Sequence, residues 1–152
     1  MNKFLSAFTL SLLLVSSGAF AAGGWDSGPS ERNADFAAAE SKIKAGDYTG
    51  AITSLLKVTK AEPKNADAYN YLGYSHRKLG QFDEALGYYQ TALKLDPDHL
   101  GANEYLGELY LQTSQLAKAE EQLDILDGLC FFGCSEYREL KKKIAEYKSA
   151  GG

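Results

Sequence analysis

Ala51, Ala85 and Ala119 are evenly spaced along the chain, and Pro63 and Pro97 each follow the alanine before them at one and the same distance. A fixed period of roughly 34 residues marks a repeated supersecondary unit, two short helices with their turns. One such unit cannot bury its apolar face alone, so its neighbours must stack on it and share a continuous core.

The middle copy is the most complete. It holds Tyr69, Leu72, Gly73, His76, Gly80, Phe82, Ala85, Tyr89, Ala92, Leu93 and Pro97. Gly73, Ala85 and Ala92 are small where two antiparallel helices cross closely. Tyr69, Leu72, Phe82 and Tyr89 recur at helical spacing and fill the volume between those helices. Gly80 permits a tight turn, and Pro97 cannot continue a helix. With these residues at these spacings the segment resembles the tetratricopeptide repeat (TPR) family. The copy before it matches through Ala38, Ala39, Gly46, Tyr48, Ala51, Leu55, Val58 and Pro63, and the copy after it through Leu106, Gly107, Tyr110, Leu116, Ala119, Leu123 and Leu126. The resemblance implies an all-α, right-handed superhelical stack of three helix-turn-helix repeats, at 32–65, 66–99 and 100–133.

The pattern predicts helices near 31–45, 48–61, 66–79, 82–95, 99–112 and 116–127. The outer copies depart from the middle one. Asp35 and Lys42 replace Tyr69 and His76, which weakens the buried face of the first helix. Ser114 replaces the turn glycine, and Phe131 stands where the other copies have proline. A seventh helix is expected at about 135–148, with Tyr137, Leu140, Ile144 and Tyr147 on one stripe and Ser135 as its N-cap. Repeat stacks need a polar-backed terminal helix over their last apolar face, so this one reads as a C-terminal capping helix.

The chain opens with Lys3, an apolar run from Phe4 to Val15, and Ala19-Phe20-Ala21. This is the pattern of a cleavable secretory signal over 1–21. Its apolar core is shorter than the ~20 residues of a membrane span. Residues 22–31 then form a flexible glycine-rich tether. The expected location is the bacterial periplasm, with no stable membrane insertion once the signal is removed. The formal charge is −4, and no basic stripe suits nucleic acid.

Cys130 and Cys134 are the only cysteines, and an exported chain with an even count favours a disulfide. The pair lies between the third repeat and the cap, where it would set the angle of the cap. The sharper alternative is a thiol redox or copper-carrier site. Against it, no Pro or His adjoins the motif, and Phe131 and Phe132 read as packing residues. His76 reads as a packed core histidine and His99 as an exposed one. No phosphate loop, metal-spaced cluster or nucleophile elbow is present. No enzyme activity, cofactor or metal is expected.

In the TPR family, ligands contact fixed positions on the concave side. Carried over, these are Asn33, Phe36, Glu40, Ile43 and Lys44 in the first copy, Asp67, Asn70, Tyr74, Arg77 and Lys78 in the second, and Gly101, Glu104, Glu108, Leu111 and Gln112 in the third. The candidate groove residues among them are Phe36, Glu40, Asn70, Tyr74, Arg77, Lys78, Glu104, Glu108 and Leu111. Phe36, Tyr74 and Leu111 have no evident core role in that register, and such side chains suit peptide binding. The family's best-known clamp grips a peptide carboxylate through Lys and Asn. Here its ninth positions are Glu40, Tyr74 and Glu108, so that clamp is absent. Asn70, Arg77 and Lys78 suit a peptide backbone or acidic side chain, whereas Glu104 and Glu108 favour a basic segment. The resemblance implies an interaction scaffold or adaptor for a protein or peptide partner. A structural envelope assembly factor is a further alternative.

Overall fold

The computed structural model describes residues 31–151, and within them it contains seven helices and no strand. They are α1 (Glu31–Lys44), α2 (Tyr48–Ala61), α3 (Ala66–Lys78), α4 (Phe82–Leu95), α5 (Leu100–Gln112), α6 (Leu116–Leu129) and α7 (Ser135–Ser149). The predicted signal segment and all but the last residue of the predicted tether lie outside the described residues.

Each of the three pairs closes through the same turn. Gly46, Gly80 and Ser114 all have positive φ, at 77°, 76° and 57°. In each case the residue after the turn donates its N–H back into the preceding helix: Asp47 to Lys42 O, Gln81 to His76 O and Gln115 to Tyr110 O, at 2.9, 3.0 and 2.7 Å. This left-handed helix ending satisfies carbonyls that the helix leaves unpaired. Glycine adopts it without strain. Ser114 does not, because its Cβ crowds the following carbonyl.

Between repeats the chain restarts on side-chain caps. Asn65 Oδ1 accepts from Ala68 N at 2.9 Å, and His99 Nδ1 accepts from Ala102 N at 3.3 Å. His99 is therefore not the exposed residue that the sequence suggests. Its side chain is only 12% exposed, and Nε2 lies 3.1 Å from Asp67 Oδ1 on α3. A second correction concerns α7, whose cap is Cys134: its Sγ accepts from Tyr137 N at 3.5 Å. Ser135 is instead the first helical residue, with its hydroxyl 3.0 Å from Glu136.

The core runs through the stack in three adjoining clusters, around Leu55 and Leu72, around Tyr89 and Leu109, and around Leu126 and Leu140. Two glycines at equivalent positions of the second and third repeats show how it ends. A Cβ on Gly73 would lie 2.6 Å from the ring of Tyr89, on the partner helix of the same repeat. A Cβ on Gly107 would lie 2.5 Å from Leu140 of α7. The terminal helix therefore reaches the last repeat at the position where Tyr89 reaches the middle one. α7 packs on both α5 and α6. No helix among the described residues is long and apolar enough to cross a membrane.

α3 packs directly on α5, while α2, α4 and α6 make no comparable contact with one another. The first helices of the repeats thus line the inside of the curve and the second helices its outside.

Candidate interaction groove

α3 and α5 run side by side in one register. Asn70 Nδ2 would lie 3.2 Å from a Cβ on Gly101, the rings of Tyr74 and Tyr105 are 5.0 Å apart, and Arg77 Nη1 is 2.7 Å from Glu108 Oε2. All of these pairs share a single sequence offset, slightly shorter than the repeat itself. Glu40 faces the Tyr71 hydroxyl at the same offset across α1 and α3.

Aromatic rings form the floor. Phe36 and Tyr71 have centroids 5.6 Å apart, and Tyr48 and Tyr74 6.1 Å apart. Burial, with Glu40 second, raises the Tyr71 hydroxyl, and burial raises that of Tyr74. Burial and then Glu104 push Tyr105 up to about 12. All three hydroxyls stay neutral at ordinary pH and can donate or accept. Sequence reasoning assigns neither Tyr71 nor Tyr105 to the groove, although their recurrence at equivalent positions of successive repeats is a legible signal.

Arg77 is the most committed side chain on this face. It is 6% exposed. Its Nε donates to the Tyr89 hydroxyl at 3.3 Å and Nη1 to Gln112 Oε1 at 3.5 Å, besides the pair with Glu108. Its Cζ also lies 5.5 and 5.6 Å from the ring centroids of Tyr74 and Tyr105. Burial alone would lower its pKa, but Tyr89 and Glu108 outweigh burial and hold it charged. Glu108 meets a second cation, Lys143 of α7, at 3.4 Å. These contacts tie the middle repeat, the third repeat and the cap together.

The other predicted residues divide. Lys78 is exposed, with Nζ 5.8 Å from the Tyr74 ring. Phe36, Glu40 and Tyr74 are half-buried on the inner face, and Asn70 is buried. Leu111 has a core role after all: it is buried with Leu140 and Ile144, because α7 covers it. Glu104 is 9% exposed. Beyond it, a cleft of about 420 Å³ opens between α5 and α7, bounded by Arg77, Glu108, Lys143 and Tyr147. The larger hollow, about 610 Å³, lies at the Ala61–Asp67 loop, away from the aromatic floor.

Cys130 and Cys134 are joined as a disulfide, with Cα atoms 5.4 Å apart. Phe131 and Phe132 do not pack. They are 93% and 100% exposed, at the corner of a turn closed by Gly133 N to Cys130 O at 3.0 Å. A ring this tight leaves its two phenylalanines nowhere inward to point. His76 is half-buried, stacked on Tyr88 at 5.1 Å with Nδ1 2.7 Å from Gln81 Oε1.

Residues 66–99 match the tetratricopeptide repeat family model, and residues 41–80 match a second model, described as TPR repeat. Residues 41–99 carry tetratricopeptide repeats. A CTR9 homologue of Arabidopsis thaliana is 33% identical over 78 residues, 51% of this chain but only 7% of that protein. Among solved structures, the TPR2B domain of yeast Sti1 in complex with pHsp70 has a TM-score of 0.72 at 19% identity, covering 79% of this chain and 98% of that one. The Yersinia enterocolitica type III secretion chaperone SycD, in complex with a peptide of the translocator YopD, has a TM-score of 0.66 at 21% identity, covering 77% and 88%. These likenesses establish the TPR fold of the stack. Its inner face is the surface on which the TPR register and the aromatic floor coincide.

Proposed function

We propose that this chain is an exported interaction scaffold of the bacterial periplasm that holds a segment of a protein partner against the inner face of α1, α3 and α5. The observation that carries this reading is the Tyr74–Tyr105 pair, two half-buried rings facing each other across adjacent repeats. Rigid aromatic surface that is neither core nor free is what a peptide uses as an anchor. The fold neighbours support it, since SycD is described in complex with a peptide and the Sti1 domain with pHsp70. The role is binding and display, not catalysis.

The test is capture from an envelope extract with wild type, Tyr74→Ala, and Lys142→Ala on the exposed side of α7. Tyr74→Ala is expected to lose a specific partner that Lys142→Ala retains. Full capture by Tyr74→Ala would move the site off the inner face. For export, the expected mature N-terminus is Ala22, and N-terminal sequencing of protein from the envelope checks it. Intact Met1 in the cytoplasm would refute the location.

A further inference from the structure

We infer that the partner segment is basic, and that Glu104 receives one of its lysine or arginine side chains. This rests on the inner-face reading above and specifies the occupant.

Most charged groups on this face are already matched. Arg77 and Lys143 both serve Glu108, and Glu40 faces Tyr71. Glu104 differs. It is nine-tenths buried, yet among the described residues it has neither a hydrogen bond nor an ion pair. The groups that act on it are Glu108 of its own helix, then Glu136 and Glu139 at the start of α7, against Lys143 alone. Burial first, then those three carboxylates, push it up to about 7. A carboxylate with no partner, on a residue this buried and among like charges, is stabilised when a cation meets it.

The aromatic side of the same place suits a cation too. Tyr74 and Tyr105 already flank the Arg77 guanidinium, and Glu104 and Glu108 both act on the Tyr105 hydroxyl. Ring faces attract guanidinium and ammonium groups. A metal ion fits less well, because no three His, Cys, Asp or Glu side chains among the described residues converge closely enough to hold one. An acidic segment fits less well: Arg77 is committed within the fold, and the exposed cation beside it, Lys78, lies out in solvent over the Tyr74 ring. The buried charge left open is an acceptor, and an organic cation with N–H donors is its complement.

Fluorescein-labelled hexalysine and hexaglutamate peptides test this by anisotropy, with wild type, Glu104→Gln, Tyr74→Ala and Glu84→Gln. Glu84 on α4 is exposed on the outer side, so its variant removes one charge away from the groove. Hexalysine is expected to bind wild type and Glu84→Gln equally and Glu104→Gln about tenfold more weakly, the loss of one charge-assisted contact. Wild-type affinity should also fall as the pH drops below neutral and Glu104 takes up a proton. Equal weakening by Glu84→Gln and Glu104→Gln would mean diffuse attraction and overturn the inference, as would no binding of hexalysine. Hexaglutamate binding that Tyr74→Ala abolishes would keep the groove and refute the basic partner. Hexalysine binding untouched by both Tyr74→Ala and Glu104→Gln would refute the groove itself. Circular dichroism of each variant confirms that the helices are intact. Should Glu104→Gln lose helicity, the pH series on wild type decides alone, and affinity unchanged across neutrality would overturn the inference.

Discussion

Arg77 of α3 and Glu108 of α5 form a 2.7 Å ion pair whose side chains are 5% and 12% exposed, joining the first helices of two successive repeats. A TPR register alone marks both as ligand contacts. The structure makes them a seam. Arg77→Ala would strand Glu108 with only Lys143 and leave the Tyr89 hydroxyl without its donor. Breaking a buried pair from one side costs on the order of 3–5 kcal/mol, with Lys143 drawing this value toward the lower end. Urea unfolding followed by circular dichroism measures it. A loss below about 1 kcal/mol, the range of surface pairs, would show that the pair is not structural.

Gly107 is expected to reject a side chain because of Leu140. Gly107→Ala should destabilise by about 1–3 kcal/mol through overpacking, and Leu140→Ala by about 2–5 kcal/mol through the cavity it leaves. The double variant should cost less than the sum, since each change relieves the other. Additive losses would mean that α7 does not rest on Gly107.

Ser114 holds the left-handed turn that Gly46 and Gly80 hold without strain. Ser114→Gly should therefore raise stability by about 1 kcal/mol, whereas Gly80→Ala should lower it. The melting temperatures of the two variants should move in opposite directions.

Glu104 gives a pH dependence of definite sign. Its folded pKa, about 7, lies above its unfolded value, so folding favours the protonated form. That stabilisation is complete below the unfolded pKa and is lost as pH rises through the folded one. Glu104→Gln should thus leave stability nearly unchanged near about pH 4 and raise it by on the order of 1–3 kcal/mol near about pH 8. A variant equally stable to wild type at both ends would disprove the buried, unmatched carboxylate.

The disulfide closes a very short ring. Replacing both cysteines by serine should cost about 2 kcal/mol on the loop-entropy view, while a serine at 134 can still cap α7, its hydroxyl accepting from Tyr137 N as the sulfur does. The three repeats should stay folded, which far-ultraviolet circular dichroism would show. Collapse of the whole helical signal would mean that the cap helix governs the stack.

The period of the sequence made legible whatever repeats with it: the helix pairs, the left-handed turns, and the close approach at Gly73. It left out what crosses between units. Arg77 and Glu108 meet at an offset shorter than the period, so no comparison of equivalent positions brings them together. Leu111 reads as free in the register because its cover comes from α7, which lies outside the repeat. His99 reads as an exposed residue at a helix start until its ring is seen capping α5. Phe131 and Phe132 read as packing residues on composition, but a ring closed by two cysteines decides their direction. Tyr71 and Tyr105 carried the one readable signal that went unassigned, since they stand one position beyond the family's contact set.

Facing residues on neighbouring inner helices, such as Tyr74 and Tyr105, are closer in sequence than equivalent ones, such as Tyr71 and Tyr105. The difference, from Tyr71 to Tyr74, is about 4.5 Å along a helix, set against roughly 8–10 Å between adjacent axes. Lines through equivalent side chains therefore cross the stack aslant, at roughly 25–30° to the perpendicular. A segment laid straight across would touch Asn70 with Gly101, or Tyr74 with Tyr105, but not Tyr71 with Tyr105. To be read by the same position in successive repeats, a partner has to climb close to one helical turn at every step, and in one direction only.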